Sequence, residues 1–146
     1  MERIRLLLLF LIFSFQPVAL AGPIDEHLLI GTWSRSTSKD GQLLYEEQSY
    51  LPDGTFCSIT LDTSNQTHVV RHRVGTWSLY NGVLGVSVSS ATDPKDLVIA
   101  PLAEISHIQT LSRSVLVTGI DVTDVGFFPT RYTKVQQDRG RQLCEL

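Results

Sequence analysis

The chain has 146 residues, 42% of them hydrophobic and 18% charged, with twelve lysines and arginines against fifteen aspartates and glutamates. That balance, without any basic block, argues against a dedicated nucleic-acid binder, whose affinity comes mainly from neutralising phosphates. The length suits a single domain, large enough to bury roughly two thirds of its unfolded surface.

Residues 1–21 read as a signal peptide. Arg3 and Arg5 form a charged start, Leu6–Phe15 is apolar apart from Ser14, and Gln16-Pro17 breaks the run ahead of Ala19-Leu20-Ala21, an A-x-A cleavage site. The apolar run is about half of the ~20 residues a spanning helix needs, and no second one follows, so no membrane span is expected. Cleavage leaves residues 22–146 as one domain with ten basic and fourteen acidic residues once Glu2, Arg3 and Arg5 are gone. A periplasmic or secreted product is the expectation.

Beyond the leader the chain breaks into short runs separated by turn residues. Strands are expected over Leu28–Thr37, Gln42–Leu51, Thr55–Asp62, Thr67–Leu79, Val83–Ser89, Ala103–Leu111, Ser114–Asp121 and Phe127–Val135. Lys39-Asp40-Gly41, Pro52-Asp53-Gly54 and Asn81-Gly82 carry the turn chemistry that reverses an antiparallel ladder. Alternation fixes faces: Leu84, Val86 and Val88 share one, while Cys57, Ile59 and Leu61 lie opposite Phe56, Ser58 and Thr60. Ala91–Pro101 is the best candidate for a loop or short helix. The fold class is therefore all-β, an up-and-down antiparallel barrel of eight strands, which leaves no unpaired edge. The tetrapeptide Gly-Thr-Trp-Ser occurs at Gly31–Ser34 and again at Gly75–Ser78. Its flanks do not match, so equivalent places at a barrel end explain it as well as duplication does.

Cys57 and Cys144 are the only cysteines, and in an oxidising compartment a structural disulfide is expected over a reactive thiolate. It would pin a polar tail, Gln136–Leu146, that has little else to hold it. His68 and His72 would share a metal on a helix, but on a strand they stand ~13 Å apart. A site would need His27 or His107 to arrive from elsewhere, so no metal or cofactor is expected. Glu46 and Glu47 point to opposite faces and cannot act as a carboxylate pair. Asn65-Gln66-Thr67 is a sequon. No nucleophile elbow, zinc-protease or phosphate-cradling pattern is present, and no enzyme is expected.

Arg71 and Arg73 pose a sharper question. On a regular strand they share a face with Trp77, and an inward Trp77 would bring both guanidiniums into the lumen, where an acidic ligand could partner them. The expected alternative is a β-bulge at Gly75 that flips the register and sends both arginines into water.

Ile30-Gly31-Thr32-Trp33, Tyr50-Leu51-Pro52-Asp53-Gly54-Thr55-Phe56 and Gly75-Thr76-Trp77-Ser78, continuing through Ile105–Leu111, Val115–Val117 and Arg131-Tyr132, resemble the small lipocalin-like domains of the calycin group. Such domains are often found in exported bacterial proteins. The resemblance implies that Trp33 packs at a closed barrel end with Arg131 lying across its indole as a cation–π contact. It also implies a Cys57–Cys144 bridge from a middle strand to the C-terminus. The chain departs from lipocalins in showing no clear C-terminal helix. The implied function is a binding module with a small apolar, amphipathic or acidic ligand in the barrel mouth at Arg71, Arg73 and Trp77. The alternative is a protein-interaction or inhibitor module, favoured if the many aromatic side chains fill the lumen.

Overall fold

The computed structural model describes residues 24–64, 67–92, 102–123, 125–137 and 139–146. The expected signal peptide, Asn65-Gln66 of the sequon and residues 93–101 of the long connection lie outside them.

Eight antiparallel strands close into a barrel in sequence order: β1 Gly31–Lys39, β2 Gln42–Tyr50, β3 Thr55–Asp62, β4 His68–Tyr80, β5 Val83–Ala91, β6 Leu102–Leu111, β7 Val115–Val122 and β8 Gly126–Lys134. A helical turn, α1 Glu26–Leu29, precedes them and a short helix, α2 Gly140–Cys144, follows. The strands follow the expected runs to within three residues. The largest difference is at the start, where Leu28 and Leu29 belong to α1 rather than to β1. The Asp40-Gly41 and Asn81-Gly82 reversals place both central residues at positive φ (51° and 81°, 49° and 78°), the hand that matches twisted hairpin strands.

The core fills one end of the barrel. Leu29 plugs it from below, and Trp33, Tyr50, Phe56, Trp77, Leu84 and Leu116 pack above it. Trp33 Nε1 donates to the Leu29 carbonyl at 2.8 Å and Trp77 Nε1 to the Leu51 carbonyl at 2.9 Å. The two copies of the tetrapeptide thus do the same work, each indole tying a backbone carbonyl at the closed end. Strand β1 leaves that end and β4 arrives at it, so the copies run in opposite directions.

The cation across the Trp33 indole is Lys134, 4.5 Å from the ring centroid, and not Arg131. Tyr132 and Lys134 share the inward parity of β8, whereas Arg131 is exposed on the outer face. The Lys134 ammonium also donates to the Leu28 and Ile30 carbonyls at 2.9 and 2.5 Å, fastening the N-terminal turn to the last strand.

The tail is held more firmly than its composition implies. The Cys57–Cys144 disulfide is present, and α2 lays Leu143 against Cys57 and Ile59 on the outside of β3. His72, outward on β4, hydrogen-bonds the Leu143 carbonyl through Nε2 at 2.6 Å. Glu47 lies beneath the same segment, accepting from Tyr45 Oη at 2.8 Å with Arg139 3.6 Å away. The outer face of β2 and β3 is therefore a second, smaller core.

Two ladders are incomplete. Pairing of β6 with β7 ends at His107↔Gly119, and pairing of β8 with β1 covers only Trp33↔Lys134 and Ser34↔Thr133. The β7–β8 ladder itself continues to Val122↔Gly126.

Candidate functional site

Parity builds the open half of the lumen. From Trp33, Arg35 and Thr37 follow on the inner face of β1. From Tyr50, Gln48, Glu46 and Leu44 lead outward along β2, and Ser58 and Thr60 extend Phe56 on β3. Strand β4 contributes Arg71 and Arg73, and β6 contributes Glu104.

The arginines face inward despite a bulge beside Gly75, which corrects the expectation that it would expel them. Val74 pairs with Ser90 and Gly75 with Val88, so the extra residue is Ser89 on β5. The alternation of β4 passes through unbroken, and Arg73, Gly75 and Trp77 are all buried. Gly75 permits this because a Cβ there would overlap the Ser87 carbonyl group. A second irregularity, Thr60↔Arg71 followed by Leu61↔Val69, places an extra residue at Val70, beyond the arginines.

A network of charges spans the lumen. Arg35 Nε donates to Glu46 Oε2 at 2.6 Å. Arg73 Nη1 donates to Glu104 Oε1 at 2.5 Å, its Nε donates to Ser58 Oγ at 3.1 Å, and its Nη2 lies 4.0 Å from Glu46 Oε1. Arg73 is 5% exposed, as a buried guanidinium with three partners can be, whereas the Glu104 side chain is 47% exposed. Aromatic rings lie directly below. Arg35 sits 5.2 Å from the Tyr132 centroid and Arg73 5.7 Å from that of Phe56. Burial opposes the charge on Arg35, but Glu46 and Tyr132 together outweigh it and hold the guanidinium above its ordinary pKa. Burial also raises the phenols of Tyr50 and Tyr132, with nearby carboxylates adding to it, so both remain neutral hydrogen-bonding groups at physiological pH.

The network divides two cavities of opposite character. One of about 480 Å³ is lined by Arg35, Thr37, Glu46, Thr60, Arg71 and Arg73, among others. The other, about 390 Å³, is lined chiefly by Tyr50, Phe56, Leu84, Val86 and Ile120. Gln48, Glu104 and Tyr132 belong to both linings, so the cavities adjoin. Neither contains a histidine or cysteine among its described lining residues. The arrangement offers fixed donors, acceptors and an apolar surface.

Of the residues expected at a ligand site, Arg71 and Arg73 line the polar cavity. Trp77 does not: it lies deeper, edge-on to Tyr50 at 5.8 Å, and closes the barrel as Trp33 does. Arg35, Gln48, Glu104 and Tyr132 were not expected at the site from the sequence, and Glu46 was weighed only as half of a carboxylate pair with Glu47. The signal for Arg35 and Glu46 was there, at two residues from Trp33 and four from Tyr50 on strands whose inner parity those aromatics set. Glu104 lacked such an anchor. The histidines bring no metal cluster together among the described residues.

No model of a known protein family matches the chain, and no curated protein matches it.

Proposed function

We propose that this is an exported, non-enzymatic, lipocalin-like binding module that holds a small amphipathic molecule with an acidic end. The observation that carries the reading is the pair of adjoining cavities, about 480 and 390 Å³, each within the size range of small-molecule sites. The polar walls carry Arg35, Arg71 and Arg73, whose guanidinium donors suit a ligand carboxylate or phosphate. Glu104 is half exposed, so it can leave Arg73 and make way for the ligand at little cost. The apolar end would then lie against Tyr50, Phe56 and Leu84. Tyr80 and Phe127 stand on the exposed surface, so they take up no lumen volume.

A fluorescent alkyl carboxylic acid and its alcohol counterpart test this. The acid should bind one to one with blue-shifted emission and roughly tenfold or more tighter than the alcohol, since a hydrogen bond to a charged group is worth about 1.5–3 kcal/mol. Arg71→Gln should remove most of that difference. Equal affinity for both probes would remove the acidic end from the proposal, and binding of neither would overturn it. The second reading, a protein-interaction module, is favoured by the exposed apolar side chains of Ile120, Val125 and Phe128.

A further inference from the structure

We propose that the apolar chain of the ligand reaches its cavity sideways, through the barrel wall between β6 and β7, and that the β7–β8 hairpin is the movable wall that closes over it. This rests on the binding reading above.

The first ground is what lines the cavity. Glu104, Ile105 and Ser106 of β6 and Thr118, Gly119 and Ile120 of β7 line the cavity that reaches Tyr50 and Phe56. They do so where pairing has stopped: the next rung after His107↔Gly119 would join Ser106 to Ile120, and it is absent among the described residues.

The second ground is how the hairpin is held. From Ile120↔Phe128 to Val122↔Gly126, its strands are paired with each other and, among the described residues, have no ladder partner on either flank, β6 or β1. Such a segment can swing without breaking barrel hydrogen bonds. Gly119 stands where the β6 pairing ends, with the Phe127 ring lying over the place a Cβ would occupy.

The third ground is what the hairpin presents. Ile120 and Phe128 have the inward parity of Thr118 and Tyr132, yet they are 54% and 49% exposed. An alkyl chain between them and Leu84 would remove that apolar surface from water, which rewards closure. The arginine cavity adjoining the same space supplies the complementary charge for the acidic end.

A cross-link across the missing rung tests this. In the double variant His107→Cys, Asp121→Cys, at exposed positions of outward parity that line neither cavity, a short bis-maleimide would tie the hairpin to β6 and leave the native disulfide in place. Association and dissociation of the fluorescent alkyl acid should each slow at least tenfold relative to the same variant uncoupled, with little change in Kd. Hydrogen exchange on the unmodified protein is the parallel test. Amides of Ile120–Val122 and Gly126–Phe128 should exchange at least tenfold more slowly when the probe is bound. Binding with unchanged rates and unchanged exchange would overturn side access while leaving the binding function intact. Absence of binding to the unlinked protein would overturn both.

Discussion

Gly75 sets the register on which the lumen depends. Its missing side chain lets the β5 backbone approach closely enough for Ser89 to bulge, and that bulge keeps the β4 arginines pointing inward. Gly75→Ala should destabilise the protein by about 1–3 kcal/mol or more, the usual range for overpacking, read as a lower urea midpoint. At Arg73 the two partners differ in worth. Arg73→Leu leaves buried Glu46 with a single guanidinium and strands Ser58, and should cost about 3 kcal/mol. Glu104→Gln touches a half-exposed carboxylate and should cost less than about 1 kcal/mol. Comparable losses in the two variants would show that the buried network is not what holds Arg73 in place.

At the scale of elements, the turns were the most legible part of the sequence. Asp-Gly and Asn-Gly have one strongly favoured reversal, and the runs between them alternate, so the strands could be placed from local chemistry alone. The tail was less legible, because Arg139–Leu146 alone shows no apolar face wide enough to call a helix. Leu143 finds its partners only on the outer surface of β3, and the disulfide brings it there across 87 residues of sequence. Replacing both cysteines by alanine should cost up to about 4–5 kcal/mol by loop-closure entropy, and less to the extent that Leu143 and His72 still hold the tail. Limited proteolysis of that variant should cut within residues 136–146 first. A tail as resistant as in the native protein would assign its order to α2 packing rather than to the bridge.

For the whole molecule, acid and alkaline stability are set by different groups. Hydrogen bonds from Thr55 hold the Asp53 carboxyl below the ordinary carboxylate range, and those from Ser64 do the same for Asp62. Groups with depressed folded values stabilise fully above their unfolded pKa near 3.9 and lose that contribution as pH falls through the folded value. Stability should therefore fall below about pH 4, and less steeply in Asp62→Ala. The buried phenols act at the other extreme. Tyr50 and Tyr132 are raised, so their contribution is complete below the unfolded value near 10 and is lost as pH climbs towards the folded value. The urea midpoint should drop above about pH 10, with part of the phenolate absorbance appearing only on unfolding. Complete ionisation of the native protein's tyrosines without loss of structure would contradict the burial of these two.

The sequence by itself determined an all-β chain of eight strands, because alternation and turn residues act over a few neighbours and need no partner. It also determined which residues share a face within each strand, including Arg71 with Arg73 and Cys57 with Ile59. Tertiary structure alone decided which face turns inward past Gly75, because the extra residue could lie in either of two paired strands. It decided likewise that Lys134 rather than Arg131 covers Trp33, and that Glu46 and Glu104 converge on Arg73 from strands 58 residues apart in sequence. The gaps beside the β7–β8 hairpin belong to the same class. A ladder ends where two strands diverge in space, and no local pattern records that divergence.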